Sequence, residues 1–288
     1  MNTALEMLLR ELRLPTFFAH AQAVAIEAER EGWGFTRYLH TLAELEVQER
    51  GQRRIARRRK ESKLPASKTL TSLDRSRLPE PIRRQLPTLC EGHFVDKAQN
   101  LLAFGLPGRG KTHLLCAIGH ALIEQGYRVL FSPAYQLVQR LLAAKQDLRL
   151  EKELRKLDGF AVIILDDIGY LQQNREEMEV LFTFLAERYE RKSVLISSNL
   201  VFSQWDRIFQ DPMTTAAAID RLVHHAIILE LTGPSFRTQH AKQRQHEAKI
   251  TEAGAPQHNP STENVTAGDD SPGETKAVTG PGHAPVDT

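Results

Sequence analysis

The stretch Asn100-Leu-Leu-Ala-Phe-Gly-Leu-Pro-Gly-Arg-Gly-Lys-Thr112 decides the fold. The apolar run Leu101 to Phe104 reads as a buried parallel strand, and it stops at a glycine. From there Gly105-x-x-x-x-Gly110-Lys111-Thr112 is the pattern of a phosphate-binding loop. Gly105, Gly108 and Gly110 let the backbone turn tightly and bring its N–H groups close to phosphate oxygens; Pro107 and Arg109 lie between them. Thr112 to Gln125 then carries Leu114, Leu115, Ile118 and Leu122 at helical spacing. The loop therefore opens a helix whose N-terminal partial positive charge faces the phosphates. Lys111 is expected to reach the β- and γ-phosphates, and the Thr112 hydroxyl to ligate Mg²⁺.

Working outward on the C-terminal side, Tyr127 to Ser132 reads as a second strand, followed by helices over Ala134 to Ala144 and Leu148 to Leu157. The second of these helices mixes Arg149, Lys152, Arg155 and Lys156 with Glu151 and Glu153. A solvated face and a DNA contact explain that mixture equally well. Next comes Ala161-Val-Ile-Ile-Leu-Asp-Asp-Ile-Gly169, a buried strand that delivers two carboxylates at its C-terminal end, where open α/β sheets bind ligands. Asp166 is expected to hold the water shell of Mg²⁺, and Asp167 to orient or deprotonate an attacking water. Glu176 to Arg191 reads as an amphipathic helix, and Ser193 to Asn199 as a strand ending in polar residues. Asn199 is either a hydrogen-bonding partner of that water or of the γ-phosphate, or a turn former. A helix within Asp211 to Val223 and a fifth strand over His225 to Leu231 complete an α/β domain.

On the N-terminal side the chain reads as three helices. Leu5, Leu8, Leu9 and Leu12 form one apolar stripe, Phe17 to Glu31 a second helix ended by Gly32, and Thr36 to Lys60 a third. The third gives way to Arg53, Arg54, Arg57, Arg58, Arg59 and Lys60, and it is expected to leave the small bundle as a basic rod. Its acidic partners at i±4 look nearly absent, so the like charges would repel along the helix. Residues 62–98 contain Pro65, Pro79, Pro81 and Pro87, which argue for an extended connector. Within it, Leu70 to Leu78 is placed to lie across a nucleotide base.

The net charge of +2 over 288 residues hides an asymmetry. Arg50 to Arg84 holds 13 Lys/Arg against 3 Asp/Glu, a local +10, whereas Glu247 to Thr288 holds 7 acidic residues against 2 basic, a local −5. The basic segment is a polyanion contact or a solvated charged face. From about Arg244 the Pro-, Gly-, Ser- and Thr-rich composition predicts a disordered tail. The domain reading is a helical N-terminal domain with its basic arm over 1–62, a linker over 63–98, a nucleotide-binding domain over 99–243 and the tail over 244–288. Cys90 and Cys116 lack metal-ligand spacing and read as reduced thiols. No histidine pairs with a cysteine or a second histidine at metal-site spacing, so no zinc site is expected. No apolar run reaches transmembrane length and no signal pattern opens the chain, which predicts a cytoplasmic protein without a membrane partner.

The order of strands, loop and Asp-Asp pair resembles the AAA+ ATPases, and within them the IstB/DnaC branch, with IstB the better fit. The features that carry the likeness are Gly105 to His113, Ile164 to Gly169, Ser197-Ser-Asn199, Ile219-Asp-Arg221-Leu and Gly233-Pro-Ser-Phe-Arg237. Upstream they are Leu12-Arg-Leu-Pro15, Arg53-Arg-Ile-Ala-Arg57, Lys63-Leu-Pro65 and Leu70 to Asp74; together they span roughly residues 3–243. The resemblance implies a three-layer αβα domain with a five-stranded parallel sheet, binding ATP with Mg²⁺. It implies an accessory ATPase of insertion-sequence transposition that assembles as a homo-oligomer on double-stranded DNA and presents the target to an integrase-type transposase. It makes His113 part of the nucleotide site. Arg221 becomes either a γ-phosphate contact offered to a neighbouring subunit or a local salt bridge, and Arg237 a second-sensor arginine. Two positions depart from the common pattern. Asp167 stands where many AAA+ proteins carry Glu, one C–C bond longer, and displacement on that scale costs roughly 10²-fold in rate; many IstB/DnaC relatives share the Asp-Asp form. Arg109 replaces a small residue, and it either adds to the phosphate charge or crowds the loop. Two other functions stand beside this one: a DnaC-like helicase loader working on single strands, and a phosphoryl transferase. The transferase would need an acceptor pocket and lid that no residues here supply.

Overall fold

A computed structural model of the chain describes residues 3–170, 175–205 and 212–232. Five apolar runs form one sheet: β1 (Asn100–Phe104), β2 (Val129–Pro133), β3 (Val162–Asp166), β4 (Ser193–Ser198) and β5 (Ala226–Glu230). All four neighbouring pairs are parallel, in the order β2-β3-β4-β1-β5. The chain leaves β1 for the far edge at β2, returns through β3 and β4, and closes at β5 on the other side of β1. Phe104 therefore pairs with both Ser198 and Glu230, and the phosphate loop leaves an interior strand.

Alternate side chains of each strand enter two different cores, which explains why the strands read as unbroken apolar runs. Leu101, Ala103, Ile164 and Leu195 face one core with Leu114, Leu115, Ile118 and Leu122. These last four lie on α6 (Lys111–Glu124). Leu102, Phe104, Ile163 and Ile196 face the other, shared with α7 (Ala134–Gln146), α9 (Arg175–Arg188) and α10 (Pro212–Val223). α8 (Leu150–Asp158) adds Leu157 to this second core. Its charges pair among themselves, Arg155 with Glu151 at 2.5 Å, and Lys156 with Glu153 at 2.9 Å.

Before the sheet come α1 (Thr3–Glu11), α2 (Pro15–Glu31) and α3 (Phe35–Ser62). Ala21, Val24 and Leu42 form a small core with Phe17, Trp33, Tyr38 and Leu45 around it. Of the leucine stripe on α1 only Leu9 is buried, while Leu5, Leu8 and Leu12 are exposed.

Three expectations fail here. The basic end of α3 is not a free rod, because it lies along the sheet domain. Ile55 packs against the α6-side core, Arg58 donates to the Gly126 carbonyl, and Arg59 pairs with Glu124. The like charges are also less naked than their count suggests. Arg50, Arg53 and Arg57 pair at i±4 with Glu46, Glu49 and Glu61. Nor is the connector simply extended: it forms α4 (Glu80–Glu91) and the single turn α5 (His93–Asp96). Pro81 occupies the first turn, where no N–H is needed. Pro87 is inside α4 but exposed, so the carbonyl it leaves unpaired can turn to water. α4 buries Ile82, Leu86 and Leu89 in the core it shares with α6. Met1–Gln243 makes one compact unit. The expected tail over 244–288 lies outside the described residues, and no helix among those described is long and apolar enough to cross a membrane.

Candidate nucleotide site

The loop between β1 and α6 sits where the backbone is crowded. A Cβ on Gly105, whose φ is +152°, would lie 2.5 Å from the Leu231 carbonyl oxygen, so only glycine fits. Lys111 starts α6 almost wholly buried, and its ammonium donates to the carbonyls of Gly105 at 2.7 Å and Leu106 at 3.2 Å. The first-turn N–H groups of α6 have no partner further back in the helix, which makes this end electropositive.

Opposite the loop, one hydrogen-bonded chain joins three strands' worth of sequence. The Thr112 hydroxyl donates to Asp166 Oδ1 at 2.7 Å, and the Ser197 hydroxyl donates to the same oxygen at 2.6 Å. Ser197 Oγ in turn accepts the backbone N–H of Asp167 at 2.8 Å. Asp167 adopts a left-handed backbone, φ +57°, unusual for a residue with a side chain. Asn199 Oδ1 is buried with no hydrogen-bond partner among the described residues. It reaches its place because residue 169 is glycine: a Cβ there would lie 2.1 Å from Asn199 Oδ1.

A cavity of about 480 Å³ opens beside them. Pro107, Gly108, Gly110, Lys111, Thr112, His113, Asp167 and Asn199, all expected at the site, line it. The far wall comes from the 70–78 strap, expected to lie across a nucleotide base, which contributes Ser72, Leu73, Asp74 and Leu78. The His113 ring meets that strap, its Nε2 lying 3.0 Å from Ser72 Oγ and 3.3 Å from the Thr69 carbonyl, and burial lowers its pKa. Lys68, Asp74, Arg77 and Ser197 were missed as individual site residues. Asp74 accepts from Ser76 N at 3.1 Å and pairs with Arg77 at 3.0 Å, a turn signalled by Asp-x-Ser.

Other expected residues lie elsewhere. Arg109 turns away toward the Leu231 carbonyl at 3.3 Å, so it does not crowd the loop. Arg221 stacks over the Phe182 ring of its own chain, 4.7 Å from guanidinium carbon to ring centre, and donates to the Ala217 carbonyl at 3.4 Å, with no ion pair among the described residues. Arg237 lies outside the described residues. On α3, Arg53 donates to Thr16 Oγ1 at 2.7 Å, while Arg54, Arg57 and Lys60 remain exposed. The histidines are less isolated than their spacing implied. His224, His225 and Glu190 bring ligand atoms within 4.8 Å of one another, but all three are exposed. They sit at the sheet edge opposite the loop, since Ala226 pairs with Asn100.

The donor set suits a hard divalent cation. Thr112 Oγ1 and the Asp166 carboxylate are oxygen ligands beside an electropositive helix end, the chemistry Mg²⁺ takes with phosphates.

Strand order, phosphate loop and paired aspartates together define an ATP-binding domain of the AAA+ type. The chain belongs to a particular family of these, the one described as IstB-like ATP binding protein, which matches residues 7–244. A putative insertion sequence ATP-binding protein of Sinorhizobium fredii is 44% identical over 238 residues, covering 82% of this chain and 80% of that protein. The putative ATP-binding protein of insertion sequence IS21 from Pseudomonas aeruginosa is 37% identical over 233 residues, covering 81% and 88%. The fold likeness extends to solved structures. The crystal structure of DnaI superposes with a TM-score of 0.50 at 23% identity, over 59% of this chain and 96% of that one. AMPPCP-bound DnaA from Aquifex aeolicus gives 0.50 at 19%, over 65% and 57%.

Proposed function

We propose that this protein is an ATP-hydrolysing accessory factor of transposition that assembles on duplex DNA and delivers it to an integrase-type transposase. The reading rests on the chain Thr112–Asp166–Ser197–Asp167, with Asp167 and Asn199 on the wall of the cavity that the phosphate loop also lines, an arrangement that suits a water-attack site facing a triphosphate cradle. Lys111 neutralises the β- and γ-phosphates, and Thr112 with Asp166 would hold Mg²⁺, which supplies further charge neutralisation when bound. Asp167 takes the proton of the attacking water, while the Asn199 carboxamide on the cavity wall hydrogen-bonds that water or the γ-phosphate. Arg221, released from Phe182, and Arg237 complete the charge stabilisation, the first across a subunit boundary. Such an arrangement makes turnover depend on assembly.

The transposition assignment is supported by the relatives named as insertion-sequence proteins. Duplex binding is supported by the +10 segment, whose Arg53, Arg54, Arg57, Arg58, Arg59 and Lys60 form the proposed contact. We place the domain boundaries at 1–62, 63–98, 99–243 and 244–288, and the protein in the cytoplasm. The test is gel filtration with ATP, Mg²⁺ and non-specific duplex, beside ATP turnover with and without DNA. ATP-dependent oligomers on duplex, with affinity falling steeply in salt and lost in Lys111→Ala, are expected. A free monomer under all conditions, or preference for single strands, refutes the proposal.

A further inference from the structure

The basic end of α3 and the segment that follows it run antiparallel to α6 and are tied to it, or to the residue pair just after it, at three levels. Arg58 donates to the Gly126 carbonyl and Arg59 pairs with Glu124 at the far end. One turn nearer the loop, His120 Nε2 lies 3.1 Å from the Pro65 carbonyl. Beside it Leu64 packs so closely on Gly119 that a Cβ there would come within 3.2 Å of a Leu64 methyl. At the loop end His113 Nε2 meets the Thr69 carbonyl at 3.3 Å and Ser72 Oγ at 3.0 Å. A carbonyl only accepts, so both histidines carry their proton on Nε2 and donate it. The Ser72 hydroxyl proton goes to the Ser67 carbonyl at 2.6 Å, leaving Ser72 Oγ free to accept from His113.

The helix so laced is the one that begins at Lys111 and Thr112. His113 and His120, seven residues apart, lie two helical turns apart on one face. The first residues of the strap are thus bonded to that face, and its later residues, Ser72, Asp74 and Leu78, wall the cavity. Any adjustment of the first turn of α6 on capturing phosphates has a bonded route to the basic end of α3.

We infer that His113 and His120 are positioning residues that carry nucleotide occupancy from the phosphate loop, through the 63–78 strap, to the arginines of α3. The inference rests on the nucleotide reading above and adds to it a link to the polyanion-facing helix. By reciprocity, whatever binds those arginines alters nucleotide affinity by the same factor.

The test is hydrogen exchange by mass spectrometry on the full chain, with and without a saturating non-hydrolysable ATP analogue and Mg²⁺. In the parent, exchange slows at 105–115 and also, by at least about fivefold, at 53–72. In His120→Ala the slowing at 105–115 and 67–72 persists while that at 53–64 is lost. In His113→Ala, read at saturation, it is lost throughout 53–72. The double change to Gln keeps an N–H donor at each position and retains the slowing. No effect at 105–115 in the parent overturns the nucleotide reading itself. Slowing at 105–115 without any at 53–72, or slowing at 53–64 that survives both Ala substitutions, overturns the link alone.

Discussion

Gly169→Ala tests the proposed catalytic geometry without replacing a functional side chain. The added methyl would sit 2.1 Å from Asn199 Oδ1 and 3.1 Å from Leu200 Cγ, where contacts under 3.0 Å essentially never occur. The Asn199 carboxamide must therefore retreat by about 1 Å, and a misplacement of that size costs roughly 10²-fold in rate. The loop itself is untouched: Lys111 keeps its contacts with Gly105 and Leu106, and Thr112 keeps Asp166. The expected result is a split, with kcat for ATP falling about 10²-fold while the Kd of a fluorescent ATP analogue changes less than about threefold. Turnover at saturating ATP, analogue titration and a melting curve on the same preparation make the assay. Parental kcat in a folded Gly169→Ala protein would refute the assignment of Asn199 to the attacking water. Equal loss of kcat and affinity would instead mean that the methyl disturbs the cradle.

Leu86→Ala asks whether the segment before the sheet is structural. Leu86 is 3% exposed between α4 and the α6 core, so the change costs about 2–5 kcal/mol in denaturant unfolding, against under about 0.5 kcal/mol for a mere linker. The two thiols should differ from ordinary exposed cysteines. Burial pushes Cys116 up to about 12 and raises half-buried Cys90 as well. Alkylation at pH 8, mapped by mass spectrometry, should modify Cys116 only after unfolding; rapid native labelling there would contradict its place in α6.

The sheet was legible because strands buried on both faces leave continuous apolar runs, and the phosphate loop fixes which of them is central. Each of the five predicted strands lies within about two residues of an observed one. The loop residues and the Asp-Asp pair were legible for the same reason, since chemistry dictates their types and spacing. What stayed hidden depends on contacts far apart in the chain. Pro87 argues locally against a helix, and only the water-facing position of its turn makes α4 tolerable. The arginines of α3 read as a projecting arm because Glu124 and the Gly126 carbonyl, which receive Arg59 and Arg58, lie at and just past the end of a helix some 65 residues later. Ser197 was hidden as an individual site residue. A serine in an apolar strand carries no signal until its oxygen is found between Asp166 and the Asp167 N–H.

That same serine bears on the short carboxylate. A glutamate following Asp166 would span the distance to the cavity with its side chain. Asp167 lines the cavity with one carbon fewer, on a left-handed backbone. A left-handed residue with a Cβ costs roughly 1–2 kcal/mol, and such strain persists only where the surroundings over-determine it. Here Ser197 holds the Asp167 N–H at 2.8 Å while gripping Asp166 at 2.6 Å. The turn is thereby fixed to the carboxylate that Thr112 already holds. The strain therefore sits in the main chain, and β4 holds it through Ser197. On the proposed water-attack role, Asp167→Glu extends one carbon from that same left-handed backbone; turnover no higher than the parent's is expected, and a faster enzyme would refute the argument.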